Sequence, residues 1–198
     1  MIAVVDYGAG NLRSIKRALE VDGAETVVTA NSDTIRSADR VVLPGVGNAG
    51  AAMERLHDLG LVDVMKDVAD AGTPLLGVCL GMQLLFGDQE EGPTVGLKLL
   101  QGNARKLPSD HKIPHMGWNT VAFAPHSSLA GLGEASFYFV HSYVVYPTDV
   151  TDIAGTTDYG VAFPSVVIRD NIWGTQFHPE KSGDSGLTLL KYWLAWNR

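Results

Sequence analysis

A chain of 198 residues is long enough for one well-packed α/β domain and too short to divide comfortably into two. Its 45% hydrophobic content and 22 glycines describe a globular chain rich in tight turns, and argue against disorder or a fibrous repeat. The formal charge of −7 argues against a nonspecific nucleic-acid binder, which needs a basic face to displace counterions, and a single cysteine rules out an intrachain disulfide.

Taken in chain order, short β-branched runs alternate with helical patterns, the mark of βαβ units and a mostly parallel sheet. Residues 2–6 read as a buried strand. Leu12, Ile15, Ala18 and Leu19 then lie at helical spacing across residues 11–21, and Gly23 stops that helix. Strands follow over residues 26–29, 40–43 and 74–78, separated by helical segments over 32–37, 49–57 and 62–71. Further strands are expected over 136–140, 143–146, 165–169 and 172–175, where the density of turns favours mixed or antiparallel pairing. A last amphipathic helix over 186–196 presents Leu187, Leu190, Trp193 and Leu194 as its buried stripe.

No repeat, low-complexity tract or linker interrupts this pattern, so residues 1–198 read as a single α/β domain, a mostly parallel or mixed central sheet flanked by helices. The apolar run from Ile2 to Val5 is too short for a secretory leader, and no stretch reaches the roughly 18 apolar residues of a membrane span. A cytoplasmic protein with no membrane and no nucleic-acid partner is expected.

The chemistry concentrates in residues 75–83, where an apolar strand runs into a helix through Gly77-Val78-Cys79-Leu80-Gly81. This is the pattern of a nucleophile elbow with cysteine in place of serine. The sharp turn leaves no room for side chains two positions before and after the nucleophile, which accounts for Gly77 and Gly81. Alone, a cysteine in an apolar run reads as inert core; the flanking glycines reverse that reading. The start of a helix directly behind Cys79 also favours the thiolate.

A thiolate nucleophile needs a base, and His178, in Phe177-His178-Pro179-Glu180 at the end of a β run, can take the thiol proton and return it to the leaving amine. Glu180, two residues on, is close enough to orient the ring and stabilise imidazolium. Acyl transfer also needs oxyanion donors. One is the N–H of Leu80, just after the nucleophile, and a second is sought in Leu43-Pro44-Gly45-Val46-Gly47-Asn48, whose glycines allow close backbone approach.

Other patterns carry less. Gly8-Ala9-Gly10 after the first strand suggests a dinucleotide loop, but Arg13 stands where its third glycine belongs and residues 29–32 supply no acidic ribose ligand. His111 and His115 are four apart, yet Pro114 keeps them off one regular helix face. No metal and no cofactor are expected.

Together, the Gly-Val-Cys-Leu-Gly elbow and the late His-Pro-Glu resemble the class I (triad) glutamine amidotransferases. The likeness narrows through residues 6–12, Pro44-Gly45-Val46-Gly47, His115-Met116-Gly117-Trp118-Asn119, residues 139–143 and His178-Pro179-Glu180-Lys181-Ser182, which are similar to glutaminase subunits of imidazole glycerol phosphate synthases. Relatives serving other synthases usually carry Pro-Gly-Gly where this chain has Pro44-Gly45-Val46-Gly47. The resemblance implies hydrolysis of L-glutamine and a heterodimer with a (β/α)₈ cyclase that receives the ammonia in histidine biosynthesis. It further implies that Gly47, Gln83, Ser142 and Tyr143 belong to the glutamine site and that Trp118 and Lys181 face the partner. Two alternatives stay open at this point: a glutaminase serving a pyridoxal phosphate, guanylate or anthranilate synthase, and a cysteine hydrolase or binding module on the same fold.

Overall fold

The strongest β formers in the chain lie side by side. In the computed structural model, which describes residues 1–21, 23–108 and 110–196, β1 (Ile2–Val5), β3 (Arg40–Leu43), β4 (Leu75–Val78) and β13 (Ile172–Thr175) form the centre of a nine-stranded sheet. These four strands run parallel, and almost every residue in them is buried. Burial on both faces explains why they read as continuous apolar runs rather than as alternating patterns.

One parallel strand, β2 (Thr26–Thr29), closes the sheet beyond β1. On the other side β12 (Ala162–Arg169), β11 (Ile153–Asp158), β8 (His115–Phe123) and β9 (Glu134–His141) continue it in antiparallel fashion, giving the order β2-β1-β3-β4-β13-β12-β11-β8-β9. A second, mixed sheet joins β10 (Tyr143–Pro147), β7 (Leu100–Lys106), β5 (Phe86–Gln89) and β6 (Thr94–Val95) in that order.

Successive residues of a strand face opposite ways, and the core divides accordingly. Ala3 and Val5 of β1 join Val41, Leu43 and Leu75 against α2 (Ser32–Arg36), α3 (Ala49–Asp58) and α4 (Leu61–Asp70). Ile2 and Val4 join Val42, Leu76 and Val78 against α1 (Leu12–Glu20) and α6 (Gly183–Ala195) on the other face. The sheet is thus flanked by helices on both sides, the layered α/β architecture expected. No helix among the described residues is long and apolar enough to cross a membrane.

Two expectations need correction. The last helix begins at Gly183 and buries Gly186, Leu189, Leu190 and Trp193, while Leu187 and Leu194 are only half-buried. The close approach at Gly186 sets this rotation: a Cβ there would lie 1.9 Å from the Pro179 carbonyl oxygen, so the glycine face turns inward. The second correction is that β5, β6, β7, β8 and β11 were not anticipated. All but the two-residue β6 carry glycine with asparagine or charge, and their pairing partners hold them extended. β8 pairs with β9 residue by residue from His115 with His141 to Ala122 with Glu134.

Because β1, β3, β4 and β13 are parallel, the loops leaving their C-terminal ends crowd together at one edge of the sheet, where ligands commonly bind in such folds. Leu43 is level with Gly77, and Val78 with Thr175. That register brings the 44–48 loop, the Cys79 turn and the segment leading to His178 to a single place.

Candidate active site

Cys79 sits between β4 and the short α5 (Leu80–Leu84), with φ 54° and ψ −109°. A non-glycine residue with positive φ costs on the order of 1–3 kcal/mol, and it persists where the surroundings over-determine it. Here the Cys79 N–H donates to the Thr175 carbonyl at 2.7 Å, and the Gln83 N–H donates to the Cys79 carbonyl at 3.3 Å. The two flanking glycines are required. A Cβ at Gly77 would meet the Gly81 oxygen at 2.8 Å, and one at Gly81 would meet the Leu43 oxygen at 1.9 Å. The Cys79 thiol is buried at 6% exposure, with its sulfur 3.8 Å from both the Val140 carbonyl oxygen and the Gln176 side-chain nitrogen.

His178 follows β13, held by its N–H donating to the Tyr138 carbonyl of β9 and by the Ser182 hydroxyl donating to its own carbonyl. Its Nδ1 lies 2.9 Å from the Glu180 Oε1, so the carboxylate accepts the Nδ1 proton. The other ring nitrogen, Nε2, is buried without a regular hydrogen bond among the described residues, and the Cys79 side chain acts on it. Burial opposes a charged ring, but the Cys79 side chain and the Glu180 carboxylate outweigh it and push the His178 pKa up to about 9. At neutral pH this is an imidazolium beside a sulfur.

In front of Cys79 opens a cleft of about 370 Å³ lined by Val46, Gly47, Leu80, Gln83, Ser142 and Tyr143, with Glu91, Pro114, Val140 and His141 completing it. Gly45 does not line it; a Cβ there would meet the Tyr7 hydroxyl oxygen at 2.7 Å and the Gly81 nitrogen at 2.8 Å. The Leu80 N–H, expected as an oxyanion donor, instead donates to the Gly45 carbonyl at 3.3 Å. The Gly45–Val46 peptide is trans, so its N–H points opposite to that carbonyl and away from the oxyanion position. The donors are in place along the chain, but neither is presented to a substrate.

The chain matches the family described as Glutamine amidotransferase class-I over residues 3–193. It belongs to that family. This amidotransferase is 48% identical over 193 residues to the imidazole glycerol phosphate synthase subunit HisH of Moorella thermoacetica, across 96% of this chain and 92% of that one. It is 50% identical over 194 residues to the HisH subunit of Bacillus cereus strain B4264, with the same coverage. Among solved structures, a glutamine amidotransferase superposes with a TM-score of 0.79 at 19% identity over 98% of this chain and 97% of that one. PurLQS from Thermotoga maritima superposes with 0.75 at 19% identity, over 98% and 96%. At such identities the structural likeness shows the fold.

The two residues expected to face a partner are both exposed. Trp118 of β8 is 60% exposed and packs edge-on against Tyr138, whose carbonyl holds the His178 N–H. Lys181 is exposed just beyond Glu180, and Met116 and Val46 are exposed apolar residues.

Several residues of the site went unassigned in the sequence. Tyr7 is fully buried, donates its hydroxyl to the Pro44 carbonyl at 2.8 Å, and has its pKa raised, first by burial and then by Cys79. Its signal was its place in the 6–12 motif. Glu91 brings a carboxylate to the cleft and accepts the Ala49 N–H at 2.8 Å, from a stretch with no recognisable pattern. His115 and His141 form a buried pair, with Nδ1 of the first 2.9 Å from Nε2 of the second. Burial pushes their pKa values down to about 4 and about 3, so both rings are neutral. No group of three or more potential metal ligands occurs among the described residues.

Proposed function

We propose that this chain is the glutaminase subunit of an imidazole glycerol phosphate synthase. It hydrolyses L-glutamine to glutamate and ammonia and passes the ammonia to a (β/α)₈ cyclase partner, with residues 1–198 as one amidotransferase domain acting in the cytoplasm. The observation that carries the chemistry is the meeting of Cys79, on its strained turn at the end of the cleft, with a His178 held and charged by Glu180. Near-complete coverage of subunits bearing the HisH name supports the narrower assignment.

In this reading Cys79 attacks the side-chain amide carbon of glutamine as a thiolate, the proton already residing on His178. The tetrahedral intermediate collapses by breaking the C–N bond as His178 Nε2 gives its proton to the leaving nitrogen, releasing ammonia and leaving a glutamyl thioester. Water then attacks the thioester while His178 takes its proton, and glutamate departs as the sulfur regains its charge. Glu180 keeps the ring in the tautomer that turns Nε2 to the reaction. The cleft suits an amino-acid substrate: Glu91 supplies an anion for its ammonium group, and Gly47, Gln83, Ser142 and Tyr143 supply polar and backbone contacts. Exposed Trp118, Met116, Val46 and Lys181 are the surface on which the cyclase docks.

Cys79→Ala in the assembled synthase tests this assignment. Product formation from glutamine is lost, while synthesis from free ammonia stays nearly intact because it bypasses the thioester. Equal loss of both activities, with the complex still assembled, refutes it.

A further inference from the structure

The deepest polar group beside Cys79 that the reaction above leaves unused is the Gln176 side chain, which is fully buried and places its Nε2 3.8 Å from the sulfur. Amide ends are interchangeable in shape, so whether a donor or an acceptor meets the sulfur depends on what fixes the amide. The fixing point is a backbone carbonyl, which can only accept. Gln83 Nε2 donates to the Tyr143 carbonyl at 3.1 Å, and the same nitrogen donates to Gln176 Oε1 at 3.1 Å. With its oxygen engaged there, Gln176 has only its N–H to turn toward Cys79.

A second line of hydrogen bonds converges on the same carbonyl. His141 Nδ1 lies 2.9 Å from the Tyr143 oxygen and therefore carries a proton, which leaves Nε2 of this neutral ring as an acceptor. His115 Nδ1 donates to that Nε2 at 2.9 Å, and His115 Nε2 accepts from Asn119 Nδ2 at 3.2 Å. Asn119 also donates to the Asp158 carbonyl at 2.8 Å. Every bond in this series has one permitted direction, and the Tyr143 carbonyl accepts from both His141 and Gln83.

We propose that Gln176 is a catalytic hydrogen-bond donor to the Cys79 sulfur, its N–H aimed by Gln83 and the Tyr143 carbonyl, and that it stabilises the negative sulfur whenever the thioester is not formed. The inference rests on Cys79 being the nucleophile. An N–H near sulfur favours the thiolate over the thiol, which can itself donate to the Val140 carbonyl 3.8 Å away. The donor thereby opposes that contact, which would keep the proton on sulfur. It also improves the sulfur as leaving group when the tetrahedral intermediate of the second half-reaction collapses. Gln176 does not line the substrate cleft, so its effect falls on the sulfur and not on glutamine binding.

The test uses the full chain, whose only cysteine makes uptake of one carboxamidomethyl group from iodoacetamide a direct count of Cys79 reaction. The alkylation rate is followed against pH for the wild type, for Gln176→Met, which keeps length without a donor, and for Gln176→Leu, a shorter apolar side chain without a donor. The other titratable groups at the site, His178 with Glu180, Tyr7, Glu91 and His141, are unchanged in all three. A hydrogen bond to a charged group predicts that the midpoint of the pH profile moves up by about one unit in both variants. In the partner-bound complex the same variants lose about tenfold in kcat with KM for glutamine unchanged. An unchanged midpoint in either folded variant overturns the inference, as does a loss confined to KM. A wild-type Cys79 that reacts like an ordinary exposed thiol at every pH instead refutes the nucleophile assignment beneath it.

Discussion

Hydrolysis of glutamine by this chain alone is expected to be slow, because neither of the two expected oxyanion donors is presented to a substrate. The Leu80 N–H is taken by the Gly45 carbonyl, and the Val46 N–H faces the other way. Losing one such donor typically costs 10²- to 10³-fold in turnover, about 3 to 4 kcal/mol. The block is reversible. Rotating the Gly45–Val46 peptide breaks one 3.3 Å hydrogen bond, worth about 1 kcal/mol net, and turns on Gly45, which has no Cβ, and on Val46, whose branched side chain resists the turn. Gly47 already has φ 93° with no atom within 4 Å of a would-be Cβ, whereas Tyr7 keeps the segment anchored through the Pro44 carbonyl. Exposed Val46 is the handle on which a docked partner can act, and contacts worth a few kcal/mol suffice to turn the peptide. The decisive perturbation is Val46→Pro, which removes the N–H that rotation delivers; Gly45 before it has no Cβ to clash with the ring. Glutamine hydrolysis is measured for the chain alone, with the cyclase, and with the cyclase plus its ligand. The wild type rises about 10²- to 10³-fold across this series, Val46→Gly rises less because it starts higher, and Val46→Pro stays low although the complex forms. Full turnover by the chain alone sinks the reasoning, and normal activation of Val46→Pro moves the donor to another residue.

Glu180→Gln preserves the partner of His178 Nδ1 but removes the charge that helps hold the ring cationic, so the His178 pKa falls below its present value of about 9. Turnover should drop less than in Cys79→Ala, and the alkaline limb of the rate profile should move to lower pH; a variant as dead as Cys79→Ala, with folding unchanged, gives Glu180 a different role. The buried histidine pair predicts sensitivity to acid. His115 and His141 bind protons at about 4 and about 3 when folded but near 6.5 when unfolded, so their neutral forms cost nothing above that value and stability drains away as pH falls from 6.5 toward 4 and 3. Between pH 6.5 and about pH 5 the fully enclosed His141 removes on the order of 2 kcal/mol and His115 somewhat less. Urea unfolding across this range checks it: His115→Asn should flatten the slope, and an identical slope would show that the acid loss arises elsewhere.

What the chain states locally is legible from residue order alone. The central strands are continuous apolar runs because both of their faces are buried, and Gly77 is dictated by Gly81 four residues on, so each leaves its mark within a few positions; Gly81, pressed against the Leu43 carbonyl, was legible only as part of the elbow pattern. The spacing of His178 and Glu180 likewise encodes a hydrogen bond made across a single turn. What depends on distant partners left no such mark. β8 holds Gly117 and Asn119 and is extended because β9 pairs with it along its length, and β5 to β7 are strands only in the company of one another and of β10. The state of the oxyanion segment turns on the direction of one peptide, which the residue types at 45–47 do not state. Gln176 lies two residues from His178, yet its donor end is chosen by Gln83 and a carbonyl at Tyr143. Residue type and spacing therefore determined which atoms this chain brings to its chemistry, while the directions in which its hydrogen bonds run were decided only when segments far apart in sequence came into contact.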